Sequence, residues 1–188
     1  MTDQPPLRAD ARRNRAHVLE VAARIFAAEG LSVPVHEIAR RAGVGTGTVS
    51  RHFPTKEDLF GAILRVGVEE LVRQADALAE RAEPGPAFFA FLAATVRTGA
   101  ANRGLAEQLA VSATTDQDAQ HDRMGLGLLC DRTGDLLDSA QKAGAVRADV
   151  ALDDVNALMA ACMARGNGPS LEPMIAVVSN GLRVPRTP

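Results

Sequence analysis

Residues 34–60, PVHEIARRAGVGTGTVSRHFPTKEDLF, constrain the fold more than any other stretch of the chain. They read as two short helices joined by a tight, glycine-marked turn, with a third helix following at once. Pro34 fits a first helical turn, where a missing amide hydrogen costs nothing. Val35, Ile38, Ala39 and Ala42 then share a face. Gly43 and Gly45 allow an abrupt change of direction, and Val44 is placed to plug the angle between the helices. In the second short helix, about Thr46 to His52, Val49 and Phe53 turn inward. Thr46, Thr48, Ser50, Arg51 and His52 are left facing out. Thr55 is placed to cap the next helix, with Asp58 three residues on as its capping-box partner.

The remainder is helical as well. No sustained alternation argues for a sheet, so the expected class is all-α. A first helix is predicted over about Ala11–Glu29, with Val18, Leu19, Ala22, Ile25 and Phe26 on one face and Gly30 as its left-handed stop. The fourth, about Lys56–Ala82, is long enough to belong both to the small module and to the larger body beyond it. After the Glu83-Pro84-Gly85-Pro86 break, helices are expected over Ala87–Thr98 and about Gly104–Ser112. A long one then ends at Ala143, and two more cover about Leu152–Ala164 and Leu171–Leu182, the last with Ser170 as a cap. The expected organisation is an N-terminal helix-turn-helix domain over 1–55 and an all-helical bundle over 56–188.

Apolar residues make up 46% of the 188, enough for a sizeable core. No apolar run approaches the roughly 20 residues that span a bilayer. Residues 1–15 carry no signal-peptide core, so a soluble, cytoplasmic protein without membrane contact is expected. Cys130 and Cys162 lie in apolar helical stretches, which favours buried thiols over a disulfide. The histidines at 17, 36, 52 and 121 are too scattered for a zinc cluster. His121 with Asp118 and Asp122 is a conceivable metal site, but residues that close on a polar bend are more often simply solvated. No metal and no cofactor is expected. Ser50 and His52 lack an orienting acid, which argues against an enzyme.

The net charge of −2 is unevenly divided. Residues 1–60 hold nine Lys or Arg against seven Asp or Glu, and residues 61–188 hold twelve against sixteen. Locally the basic residues cluster as Arg8, Arg12, Arg13 and Arg15, then Arg40, Arg41, Arg51 and Lys56. That pattern suits phosphate contacts from one small surface. A short helix held from beneath, with polar side chains outward, is what reading base edges in the major groove requires. Thr46, Thr48 and Arg51 are the leading candidates for contact. Gly47 leaves little bulk where DNA or the neighbouring helix approaches, and Ser50 can donate one hydrogen bond. Lys56, in the first turn of the fourth helix, is placed for a backbone phosphate. Arg40 and Arg41 would flank the groove, and the arginines before the first helix would form a flexible arm. His52 has a competing role in packing. A generic helical hairpin with an ordinary charged surface is the plainer alternative.

The same segment resembles the DNA-binding domain of the TetR family of bacterial transcriptional regulators. The resemblance rests on Ile38 and Ala39, then Ala42, Gly43 and Val44, then Gly47, Thr48, Val49, Ser50, His52, Phe53, Lys56 and Leu59. It extends back through Phe26 and Gly30, covering about residues 12–64. Ser50 departs from it, standing where the family most often has a tyrosine that contacts the DNA backbone. The resemblance implies a regulator, commonly a repressor, that binds a palindromic operator as a homodimer and is released by a small-molecule effector.

One short reading helix covers few base pairs, so specific affinity also calls for a second copy on the next turn of the duplex. The last two helices offer Ala157, Leu158, Ala161, Cys162 and Ala164 on one and Ile175, Val178, Ser179 and Leu182 on the other. These stripes suit either a dimer interface, which the resemblance favours, or closure of the subunit's own core. Phe88, Phe89, Phe91 and Leu92, with Leu105, Leu109, Met124, Leu128 and Leu129, either line a cavity for an apolar or amphipathic effector or pack as ordinary core. A ligand-independent DNA-binding or architectural protein is the alternative function.

Overall fold

The computed structural model describes residues 6–30, 32–101 and 126–185. Eight α-helices lie among them: α1 (Pro6–Glu29), α2 (Val35–Arg41), α3 (Thr46–His52), α4 (Lys56–Arg81), α5 (Pro84–Ala101), α6 (Leu126–Lys142), α7 (Leu152–Ala164) and α8 (Leu171–Leu182). The only β-type pairing among these residues is an isolated bridge between Val146 and Arg183. The expected helix over Gly104–Ser112 lies outside the described residues. Two helices begin earlier than the sequence pattern indicated, α1 at Pro6 and α5 at Pro84. At Pro84 the proline lacks only an amide hydrogen that a first turn leaves unpaired anyway, so what reads as a break serves as a start.

The chain divides into two compact units, Met1–Leu64 and Arg65–Pro188. The division falls inside α4, beyond residue 55, because Leu59 and Ile63 from its first turns are buried in the core of the first unit. That core is built on the apolar stripe of α1, where Val18, Leu19, Val21, Ala22, Ile25 and Phe26 are all buried. Onto it pack Ile38, Ala39 and Ala42 from the α2 region, then Val49 and Phe53 from α3 and its end. Phe26 also meets Phe60 edge-on, with ring centroids 6.1 Å apart. Thr55 and Asp58 close the expected capping box: the Asp58 amide donates to Thr55 Oγ1 at 3.0 Å, and the Thr55 amide to Asp58 Oδ2 at 3.1 Å.

The second unit is organised around α5. Gly85, Ala87, Phe88, Phe89, Phe91, Leu92, Ala93, Thr95, Val96, Gly99 and Ala100 are buried, so this helix is enclosed on almost every side. Leu126, Leu129, Leu136, Leu137 and Ala140 of α6 pack in the same core, as do Val155, Met159, Cys162 and Met163 of α7 and Leu171, Ile175 and Leu182 of α8. A Cβ at Gly99 would overlap the thioether of Met163, so a larger residue there needs that side chain to move. Arg97 of α5 pairs with both carboxylate oxygens of Glu172 on α8, at 2.7 and 2.8 Å. Ser170 precedes α8 as expected but makes no side-chain capping bond.

The turn between α2 and α3 is a Schellman motif. The Val44 amide donates to the Ala39 carbonyl at 3.0 Å and the Gly43 amide to the Arg40 carbonyl at 3.2 Å, with Gly43 at φ 65°. Gly45, expected to share this work, has an ordinary extended conformation at φ −68° and ψ 145°. A Cβ at residue 43 meets no atom but opposes the positive φ. Gly43→Ala is therefore expected to lower the unfolding free energy by about 1–2 kcal/mol, measured by urea titration, whereas Gly45→Ala costs less.

Candidate nucleic-acid interface

Helix α3 is held from one side only. Val49 has 0% of its surface exposed and Phe53 is buried, whereas Thr46, Gly47, Ser50 and Arg51 are exposed. Residues 46 and 50, and 47 and 51, form two adjoining i, i+4 rows, so the exposed set makes one continuous face. Thr48 and His52 lie at its margin, half-buried. The His52 ring stands 6.2 Å from that of Phe53, tilted by 53°, which fits its packing role. Gly47 has no neighbour within 4 Å of a hypothetical Cβ, so nothing among the described residues demands a glycine there. Thr46, Gly47, Ser50 and Arg51 thus offer hydroxyls, one guanidinium and a bare stretch of backbone to an incoming surface.

The flanking cations are less available than the sequence implied. Glu37 accepts from Arg40 Nε and Nη2 and from Arg41 Nε, each at 2.7 Å. Arg41 also reaches back to the Glu29 carboxylate at the end of α1. Two carboxylates therefore balance two guanidiniums, which ties α1 to α2 and lessens the charge that Arg40 and Arg41 can offer a phosphate. The signal was present in the sequence as Glu37 at three and four residues before the two arginines. Hydrogen bonds from Arg40 and Arg41 hold the Glu37 carboxyl well below its usual range, at about 2. Its bond to Arg41 lowers Glu29 as well. Lys56 is half-buried, with its ammonium 5.8 Å from the centre of the Phe26 ring, a cation–π position that competes with the expected phosphate contact.

In the second unit, Phe88, Phe89, Phe91, Leu92 and Leu129 are buried together. Leu128 is not with them. It is 50% exposed, because one residue of helix turns it about 100° away from Leu129. Leu105, Leu109 and Met124 lie outside the described residues, as do Asp118, His121 and Asp122. Among the described residues no group of three His, Cys, Asp or Glu is placed to hold a metal. Of the dimer candidates, Ala157, Leu158 and Ala161 are exposed and Val178 and Ser179 half-buried. Cys162, Ile175 and Leu182 instead face the subunit's own core. Sequence reasoning missed Val177, which is 71% exposed on α8 and extends the open apolar stripe there. It also missed the Thr95 hydroxyl of α5, which is buried without a hydrogen-bond partner among the described residues.

Residues 18–63 match the family model for bacterial regulatory proteins of the tetR family, and residues 83–184 match that for the C-terminal domain of SbtR-like transcriptional regulators. The crystal structure of a TetR transcription regulatory protein from Mycobacterium vanbaalenii superposes with a TM-score of 0.68, at 45% identity, covering 95% of this chain and 100% of that one. The chain belongs to the TetR family. A TetR transcriptional regulator from Streptomyces coelicolor is similar over 92% of this chain and 99% of its own, at 31% identity and a TM-score of 0.68. An HTH-type transcriptional regulator of Staphylococcus aureus (strain USA300) is 41% identical over 54 residues, which span 28% of this chain and only 29% of that regulator's length. In this TetR protein Ser50, where the resemblance led to the expectation of a tyrosine, is exposed on α3. No helix among the described residues is long and apolar enough to cross a membrane.

The Glu37 clamp has a defined acid response. A carboxyl depressed on folding contributes stability that is complete above its ordinary value of 4.5 and is lost as pH falls towards about 2. Carboxyl-detected NMR is expected to show Glu37 titrating near 2. A midpoint near 4.5 would show that the arginines do not hold it in solution.

Proposed function

We propose that this TetR protein is a transcriptional repressor that binds a palindromic operator as a homodimer through α3 and is released by a small apolar or amphipathic effector in its second unit. The supporting observation is the two-sided character of α3. Val49 and Phe53 fix it from below, and Thr46, Gly47, Ser50 and Arg51 face outward. Arg51 suits guanine or phosphate, the threonine methyls suit thymine, and bare Gly47 lets a duplex approach the backbone. Thr48 and His52 at the margin take secondary contacts, and Lys56 reaches a phosphate only by leaving the Phe26 ring. Arg40 and Arg41 act chiefly as struts.

A second copy is required because one such helix covers only a half-site, and two copies mirror a palindrome. The dimer face is assigned to Ala157, Leu158, Ala161, Val177, Val178 and Ser179, small or apolar members of α7 and α8 that are exposed or half-buried in the single chain. The effector is assigned to the core beside α5, near Phe88, Phe89, Phe91, Leu92 and Leu129. Thr95 supports an amphipathic molecule over a purely apolar one, since its hydroxyl, without a partner among the described residues, offers a polar contact that would orient it. Release follows if the effector prefers a conformation in which the two reading helices no longer match successive grooves. Continuity of α4 through the boundary between the two units gives such a change a covalent route.

Selection of bound fragments from random duplex DNA tests the central claim. A palindromic consensus is expected, and recovery without any consensus would favour a ligand-independent architectural role. On the selected duplex, Gly47→Ala is expected to leave stability unchanged or raise it by up to about 1 kcal/mol while weakening binding at least tenfold. Equal affinity would remove Gly47 from the contact surface. Thr95→Val is expected to stabilise the unliganded protein by about 1 kcal/mol, because it deletes a buried, unpaired hydroxyl. A lower melting temperature would show that the hydroxyl is already satisfied.

A further inference from the structure

Helix α4 is secured towards both of its ends. Leu59 and Ile63 in its first turns are buried in the core of the first unit. Further along, Val68, Leu71, Val72 and Ala75 are buried, and Asp76 pairs with Arg132 of α6 at 2.8 Å. The division between the two units falls between Leu64 and Arg65, and one glycine stands on either side of it, Gly61 and Gly67.

Neither glycine is explained by its surroundings. A Cβ at either position would meet no atom within 4 Å, and neither has a positive φ. Gly67 is spaced at i, i+4 from both Ile63 and Leu71, so it occupies a place on the apolar stripe where a side chain would be expected. Arg65 and Val66 just before it are exposed, Val66 by 51%. From residue 65 to residue 67 the helix therefore buries no side chain, and its packing is interrupted where it passes from one unit to the next. A helix interior favours almost any residue over glycine, whose backbone has the most freedom to leave helical geometry. Two such positions around an unpacked stretch make the softest part of α4 coincide with the boundary.

We propose that Gly61 and Gly67 make α4 a compliant joint that determines how strictly this protein reads the spacing between the two halves of its operator. The inference rests on the reading of the protein as a homodimer that binds a palindrome through α3. One added base pair moves a half-site by about 3.4 Å and turns it by about 35°. If α4 were stiff, that misfit would fall on the reading helix or on the duplex, and deforming DNA is costly. A helix that bends at glycine absorbs part of it, as small residues do at other hinges. The compliance belongs to the free protein and operates without an effector.

The test uses the full chain and the palindromic duplex that the wild type selects from a random pool, together with versions lengthened or shortened by one base pair between the half-sites. G61A/G67A is expected to bind the selected duplex as well as the wild type or better. Its affinity for the altered spacings should fall at least about tenfold further than that of the wild type, a difference that modest deformation of the duplex is enough to produce. Each alanine should also raise the melting temperature by about 2–4 °C, and slow hydrogen exchange at nearby α4 amides by about fivefold. A79G, at an exposed position late in the same helix, should lower the melting temperature and leave the spacing profile unchanged. An unchanged profile or unchanged exchange in G61A/G67A, with the wild type still selecting a palindrome, would overturn the proposal and leave the α3 reading intact. Equal loss of affinity at every spacing would also overturn it, because that pattern belongs to a surface that approaches the bare glycines closely. A wild type that selects no palindrome would overturn the operator reading together with the proposal.

Discussion

Everything α3 can do depends on its being pressed against the apolar stripe of α1. Val49 and Phe53 are its two anchors, and both end in the cluster formed by Val18, Ala22, Ile25 and Phe26 with Ile38 and Leu59. A seven-residue helix has no stability of its own in water. It persists because burial on one side and the Schellman turn before it leave the backbone no competing arrangement. The outward face therefore arrives pre-formed, and little conformational entropy remains to be lost when it meets a partner.

Electrostatics shapes that face by subtraction as much as by supply. The sequence places Arg40 and Arg41 beside the turn, where a count of charges suggests a phosphate cradle. Folding brings Glu37 and Glu29 to them, and the quartet becomes a brace between α1 and α2. Lys56 is drawn over Phe26 in the same way. Ion pairs this exposed contribute modestly to stability. Their larger effect is to sort the cations, leaving Arg51 outward while Arg40 and Arg41 are held in place.

Much of this was legible in the sequence because it follows from local rules. The boundaries of α3, α7 and α8, the left-handed Gly30 and Gly43 and the Thr55–Asp58 capping box depend on spacing and on residue types with few conformational options. What escaped was either one residue of rotation or a partner distant in sequence. Leu128 and Leu129 are indistinguishable by composition, yet only one faces inward. Cys162, Ile175 and Leu182 belong to apolar stripes wide enough to serve a core and an interface together, and only packing assigned them to the core. Arg41 meets Glu29 across twelve residues, a distance that no helical periodicity announces. Pro84 misled in the opposite direction, since a residue that reads as a break also begins α5.

The enclosure of α5 sets the time behaviour of the second unit. Apart from the stripe through Ala90, Ala94, Arg97 and Ala101 the helix is covered, so exposing Phe88 or Phe91 requires the packing around it to open. The amides on its covered sides thus meet solvent only when that packing opens. A small molecule that reaches this helix must wait for such breathing or enter by a route that spares it, so access and not affinity alone would govern how quickly the protein responds.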